Sequence, residues 1–393
     1  MDGGLQARAS ELVDGLADEL VEVSRDIHAH PELAFDEHHA HDVLTASLER
    51  HGLDVTRSAY GLDTAFEATA GTVGPVVVIC CEYDALPGLG HACGHNVIAA
   101  AGLGAGLAAA AVADEAGGRV RVLGTPAEEG GAGKILMADA GAFEDVDAAM
   151  MVHPAGADLR WMSTLAATSF AATFHGLAAH AAAFPERGRN ALDAAVLGYV
   201  NVAALRQHIA TTDRVHGIFT DGGTKTNIVP ERAEMDWMVR TGRVEDLDDL
   251  VERVRACLAA GAAAAGCTWE HCTTMRTYAD LVSNPILLDR FAAHADALGR
   301  PLADPRLTGA PVTGSTDMGN VSHLVPSIHP VLAVSPPDVS IHSAAFVGHA
   351  GGPAGDAAAL DGARAMAATV VDLWAQPALV AEARAAFDQR AAA

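Results

Sequence analysis

A six-residue apolar run, Val76 to Cys81, passes without a spacer into Glu82-Tyr83-Asp84-Ala85-Leu86-Pro87-Gly88-Leu89-Gly90-His91-Ala92-Cys93-Gly94-His95-Asn96. The run reads as a strand buried on both faces, as in a parallel sheet. The segment after it collects two carboxylates, a thiol and two imidazoles. Thiolate, imidazole and carboxylate together are the ligand set of a borderline divalent metal. A Cys-x-His triplet alone is weak, but further donors stand just beyond apolar runs downstream: Glu128-Glu129, His153 and His342.

The same grammar recurs along the chain. Strand-like segments at 62–69, 75–82, Arg119 to Thr125 and Val146 to Val152 alternate with helical stretches, including an opening amphipathic helix over residues 5–24 and an Ala/Gly helix from Asn96 to Ala113. That alternation predicts an α/β fold, a mixed and largely parallel sheet with helices on both faces. Glu82 and Asp84, Glu128 and Glu129, and His153 each fall at the carboxyl end of one of these strands, the edge where open α/β sheets build their sites.

From about Leu165 the order becomes strand (Thr168 to Phe174), helix (Ala191 to His208), two strands (Val215 to Asp221, Ala233 to Val239), helix (Leu247 to Ala263) and strand (Thr268 to Thr274). This β-α-β-β-α-β order is the ferredoxin-like unit. The predicted organisation is a catalytic domain over 1–164 and 277–393, interrupted by an inserted lid or dimerisation domain over 165–276. After Tyr278 come a helix over 285–298, a turn at Gly314-Ser315-Thr316-Asp317-Met318-Gly319, a strand over 328–334 and a closing helix over 355–374.

Charge narrows the partners. The net charge is −25, and Lys134 and Lys225 are the two lysines among 393 residues. No basic run is available to neutralise phosphates, which argues against nucleic acid and anionic membrane surfaces. The stretch from Asn96 to Ala113 is short and weakly hydrophobic for a membrane span. Met1-Asp2-Gly3-Gly4 has neither a basic region nor an apolar core, so no signal peptide is expected. Six cysteines without regular spacing read as reduced thiols, and a cytoplasmic location is expected.

Glu128-Glu129 opens a Gly-rich turn, where adjacent carboxylates can point apart, one binding metal and the other taking a proton from water. A solvated acidic turn is the plainer reading of an isolated Glu-Glu pair. His153 and His342 read either as capped core histidines or as ligands. Cys93 paired with His95 as a nucleophile is the alternative to a ligand role, although i,i+2 spacing seldom turns a base toward its thiol. His180 is either a surface histidine or an oxyanion donor. His28, His30, His38, His39 and His41 cluster in sequence, but Pro31 and the acidic neighbours favour a solvated loop and helix start.

With these residues assembled, the chain resembles the two-metal metallopeptidase family of aminoacylases and glutamate-releasing carboxypeptidases, within its amidohydrolase branch. The resemblance rests on the Glu82–Asn96 stretch, Thr125-Pro126-Ala127-Glu128-Glu129, Met151-Val152-His153-Pro154, the inserted domain, Gly314 to Ser322 and His342-Ser343. It implies that Cys93, His95, Glu129, His153 and His342 hold two divalent cations (manganese or zinc, or cobalt), with Cys93 bridging. It implies Glu128 as general base and acid, Asp84 orienting a ligand histidine, and His180 of a partner subunit as oxyanion donor in a homodimer formed through the inserted domain. Asn227, Arg240, Ser315 and Thr316 are the implied substrate-binding residues, Arg because its fork grips a carboxylate. Conjugate-hydrolase members carry Asp-Met-Asp where this chain has Glu82-Tyr83-Asp84, and Asp where it has Asn96, a difference that bears on the substrate and not on the metal site.

The expected function is a metal-dependent amidohydrolase of an N-acyl amino acid or a small dipeptide-like amide. Its rival is a non-catalytic or partner-dependent metal-binding subunit of a heteromeric hydrolase.

Overall fold

The computed structural model describes residues 3–308 and 313–391. The chain divides into two compact units, one built from the segments up to Ser163 and from Leu281 onward, the other from Thr164–Asp280.

The first unit is organised by a six-stranded sheet. Its strands are β1 (Asp54–Arg57), β2 (Phe66–Ala70), β3 (Val76–Cys81), β4 (Arg119–Gly124), β5 (Ala148–Met150) and β6 (Ser327–Ile328). They lie in the order β1-β2-β4-β3-β5-β6. Pairing is parallel from β4 through β3 and β5 to β6, and antiparallel at β2 with β4 and β1 with β2. The sheet is therefore mixed and largely parallel. All six residues of β3 are buried, as an apolar run without alternation requires.

Helices α1 (Gly3–Gly15), α2 (Ala17–Ala29), α3 (His38–Arg50), α4 (His95–Ala110), α5 (Gly133–Asp139) and α6 (Pro353–Ala375) belong to this unit. The single helix expected over residues 5–24 is two, α1 and α2, meeting at Leu16. The strand expected over 328–334 is likewise split into β6 and Val331–Ala333, because Pro330 has no N–H to continue a ladder. Helix α4 is buried along nearly its whole length. Its glycines permit this: a Cβ at Gly102 would stand 2.5 Å from Cys81 Sγ, and one at Gly106 2.3 Å from Val122. Ala and Gly on α4 let it lie directly on β3 and β4, which fixes the β3–α4 connection where the metal-type donors sit.

The second unit has strands Ala166–His175, Arg214–Asp221, Arg232–Thr241 and Thr268–Tyr278 with helices Ala191–Leu205 and Leu247–Ala264. Its antiparallel sheet places the first strand between the fourth and the third, with the second at an edge. That is the ferredoxin-like arrangement. Phe170, Phe174, Met235, Trp237 and Val239 form its core with Leu250, Val254 and Leu258 of the second helix. Among the described residues no helix is long and apolar enough to cross a membrane, and all six cysteines are free.

Candidate metal centre

The donors predicted from sequence come together on segments of the first unit that follow its strands: Cys93 in the loop after β3, His95 at the start of α4, Glu129 after β4, His153 after β5 and His342 after Val331–Ala333. Cys93 and His95 flank Gly94, which sits at φ 80. A Cβ there would meet Pro154 Cγ at 2.6 Å. The left-handed turn open to glycine swings both side chains inward, so that an i,i+2 pair faces one place.

Two donor groups result. Cys93, His95 and His153 form one, and Cys93, Glu129 and His342 the other, with the ligand atoms in each group within 4.8 Å of one another. Cys93 belongs to both. Its Sγ lies 3.4 Å from His153 Nε2 and 3.3 Å from His342 Nε2, and His342 Nε2 is 3.1 Å from Glu129 Oε1. His342 is held at φ 61, its N–H donating to Ala92 O at 2.8 Å. A left-handed β-carbon residue at a convergence of donors is the strain expected of a functional position.

Outer contacts aim the donors. His95 Nδ1–H donates to Asp84 at 2.9 Å, leaving Nε2 free to ligate, and Asp84 also accepts the Glu129 N–H at 2.9 Å. His153 Nδ1–H donates to Pro154 O at 2.9 Å, which turns its Nε2 toward Cys93. Such carboxylate or carbonyl partners fix the tautomer of a ligand histidine. Buried atoms His95 Nε2 and Glu82 Oε2 have no hydrogen-bond partner. Polar atoms left bare in a protein interior are costly, and soft sulfur, imidazole nitrogen and carboxylate oxygen fit a pair of divalent ions of the zinc or manganese kind.

Electrostatics set the donors apart: against the downward pull of burial, Asp84 and Cys93 hold His95 well above its ordinary value. Burial pulls His153 down to about 4, so its ring is a neutral donor. Burial pushes the Cys93 thiol well up, which speaks against a free nucleophilic thiolate. Burial and the carboxylates of Glu82, Asp317 and Glu129 hold Glu128 well above the usual range.

Glu128 stands beside Glu129 with a carboxylate oxygen in the same 4.8 Å group as His95. The residue before it, Ala127, sits at φ 59. Its N–H donates at 2.8 Å to Glu37, a fully buried carboxylate that also accepts from Thr64 Oγ1 at 2.8 Å. Glu37, ninety residues upstream, was not singled out in the sequence, where it stands among the histidines read as a solvated loop and helix start. Nor were Lys134 and Asp317 assigned a role there. Lys134 is completely buried, with Nζ 2.5 Å from Glu82 Oε1 and 2.7 Å from Asp317 Oδ1. The available signal was the rarity of lysine in this chain and its place in an otherwise apolar segment.

Other predicted residues fall differently. Thr316 is buried, its Oγ1 accepting the Met318 N–H at 3.2 Å, a turn-closing role, and Ser315 is half-buried beside it. Asn96 donates to Ser24 Oγ and to Ala350 O, two bonds an aspartate could not make, and so ties helices together. His180, Asn227 and Arg240 belong to the second unit. His180 is exposed, and its Nδ1 accepts the N–H groups of Ala182 and Ala183 at 3.3 and 3.2 Å. The proton therefore sits on Nε2. Asn227 is exposed, its carbonyl accepting the Ala181 N–H. Arg240 alternates with the buried Val239 and Thr241, on the strand face away from the helices.

The upstream histidines do run into a helix start, α3 beginning at His38, but not all of them are solvated. His41 is buried on α3 against Phe66. His28 bonds Val347 O. Asp26, His30 and His39 do cluster, but His30 Nδ1–H is given to Asp26 O at 2.9 Å, and the pairings close the end of α2 as surface ion pairs.

Comparison with known proteins accords with this arrangement. Residues 78–345 match Peptidase family M20/M25/M40. The Xaa-Arg dipeptidase of Mus musculus is 38% identical over 98% of this chain and 92% of its own length. The chain belongs to the M20/M25/M40 peptidase family. It is thus an enzyme of the peptidase and amidohydrolase kind, as the sequence resemblance implied. Another relative, one of the p-aminobenzoyl-glutamate hydrolase subunits of Escherichia coli, is 38% identical over 62% of this chain and 54% of its own length. The fold is shared with a dinuclear metal-binding M20 peptidase of Bacillus subtilis, at TM-score 0.72 and 22% identity over 92% of this chain and 99% of that one.

Proposed function

We propose that this family member is a two-metal dipeptidase whose preferred substrates are small dipeptides ending in a basic residue. The observation that carries the two-metal reading is the sharing of Cys93 between two donor groups. In it Cys93, His95, His153, Glu129 and His342 would hold the two ions, with Cys93 common to both groups. Bound there, divalent ions would polarise the scissile carbonyl and acidify a water.

The chain's own residues supply the rest. Glu128 takes the proton of the attacking water as the C–O bond forms and returns it to the amine nitrogen as the C–N bond breaks. Asp84 keeps His95 and Glu129 in register. His180 of the partner subunit would donate to the carbonyl oxygen as charge gathers there. Thr316 and Ser315 shape the turn that carries Asp317, and Arg240 of the partner subunit and Asn227 of the partner subunit are candidates for the substrate carboxylate.

Two observations support a cationic substrate. The relatives aligned over 98% of the chain are named for Xaa-Arg cleavage. A net charge of −25 draws cations toward the surface and repels anions such as aminobenzoyl-glutamate. A homodimer is supported by the second unit, whose edge strand Arg214–Asp221 exposes Ile218 and Phe219 and whose first helix exposes Val196, Leu197 and Val200. Free cysteines fit a cytoplasmic setting.

The test is amine release from a panel of Xaa-Arg and Xaa-Lys dipeptides, N-acyl amino acids and aminobenzoyl-glutamate, after chelation and after adding back manganese or zinc. Metal-restored cleavage of the basic dipeptides is expected. Cleavage of aminobenzoyl-glutamate alone would overturn the substrate assignment. Silence of the purified chain toward every amide would favour the partner-dependent subunit, since the Escherichia coli relatives include two subunits of one hydrolase.

A further inference from the structure

Behind the proposed base lies a group of charges that the ligand scheme leaves unused. Glu82, Glu128 and Asp317 each bring a carboxylate oxygen within 4.8 Å of the others. Glu82 and Asp317 are fully buried. Like charges packed this closely in a low-dielectric interior repel strongly, and a cation inside such a wall relieves the repulsion. Lys134 is that cation. Nζ is 2.5 Å from Glu82 and 2.7 Å from Asp317, while its backbone N–H donates to Asp317 Oδ2 at 2.8 Å.

The bonds fix geometry as well as charge. Lys134 occupies one oxygen of Glu82. The other, Oε2, is buried without a hydrogen-bond partner and lies 3.5 Å from His95 Nε2, the nitrogen turned toward the donor groups. Asp317 starts the short helix Met318–Ser322, and Lys134 is the second residue of α5. One ammonium therefore joins the end of β3, α5 and the Gly314–Asp317 turn, and the Glu128 carboxylate stands among the groups it joins. Lysine suits this use because its ammonium is a compact point charge with several donors.

We propose that Lys134 is a positioning residue of the hydrolysis, a permanent internal cation that fixes Glu82 and Asp317 and thereby holds Glu128 where it receives and returns the proton. Lys134 transfers no proton itself: the one that leaves water travels to Glu128 and then to the leaving amine. The inference rests on the two-metal hydrolase reading.

The experiment compares wild type, Lys134→Met and the charge-balanced pair Lys134→Met/Asp317→Asn, each loaded with manganese. It measures metal content per chain, thermal unfolding, kcat and KM on the best dipeptide. With two metals retained, kcat of Lys134→Met is expected to fall ~100-fold, the scale of a displaced general base, with KM changed less than about 3-fold. The pair is expected to lie between the single variant and wild type. Wild-type kcat in a folded, fully loaded Lys134→Met protein overturns the proposal, and so does loss of kcat that merely tracks loss of metal. Should Lys134→Met not fold, the pair decides alone: reduced kcat with unchanged KM and metal supports the role, and wild-type kcat refutes it. Failure of wild type to cleave any amide of the panel is a separate outcome, seen before any variant is made, and it removes the hydrolase reading and this inference together.

Discussion

Glu37 and Ala127 are joined by a 2.8 Å hydrogen bond in which a buried carboxylate accepts a backbone N–H. Ala127 sits at φ 59, a conformation that costs a β-carbon residue about 1–3 kcal/mol, and it immediately precedes Glu128. The bond holds the turn that aims the proposed base. Glu37→Ala should leave two buried donors unpaired, Ala127 N–H and Thr64 Oγ1–H, and lower stability by about 2–4 kcal/mol. Glu37→Gln keeps an acceptor for Ala127 and should cost less. Denaturant unfolding of the two variants gives the ordering, and equal losses would remove the pinning role.

Glu128→Gln should abolish proton transfer while leaving the donor groups whole. The expected loss in kcat is ~10²–10⁴-fold, with manganese or zinc content unchanged by elemental analysis. Near-normal turnover would reassign the base.

Metal removal should destabilise the first unit, because ions bound only by the folded chain stabilise it by mass action. With ion at ~100 times its dissociation constant the gain is about 2.7 kcal/mol. Chelation should lower the thermal midpoint, and re-addition should restore it. Cys93→Ser should blunt that response more than His153→Ala, since Cys93 serves both groups. A midpoint indifferent to chelator in wild type would contradict the two-metal reading.

Acid stability should depend on a pair far from the donors. Asp372 accepts from His294 Nε2 at 2.7 Å and from Gln6. Burial raises its carboxyl, but these partners outweigh burial and hold it below the ordinary value of 3.8. A carboxyl lowered by folding contributes stability that is full above its unfolded value and is lost as pH falls through the folded one. Asp372→Asn should therefore lower stability at pH 7 and flatten the decline below about pH 4, as read from thermal midpoints across pH. An unchanged acid limb would refute the assignment.

The candidate donor cluster was legible because Cys93, His95, Glu129, His153 and His342 are chemically unlike the Ala-rich scaffold and each comes after an apolar run. The sheet was legible for the same reason, in unbroken strands such as Val76–Cys81. Hidden from the sequence were residues whose role exists only after folding. Glu37 and Lys134 look like ordinary surface charges until the chain brings Ala127 to one and Glu82 with Asp317 to the other. Asn96 looks like a lost acid in the site, yet its amide spans two helices. The break at Leu16 is hidden because apolar spacing runs on through α1 and α2.

The burial of Lys134 also bears on how this protein can be handled. Lys225 is exposed and Lys134 is fully enclosed, so amine-directed reagents meet one lysine in the native protein. A fluorophore or a resin tether attached through lysine should go to Lys225 in the second unit, at one defined point. Slow labelling of Lys134 would then time the opening of the interior that surrounds it.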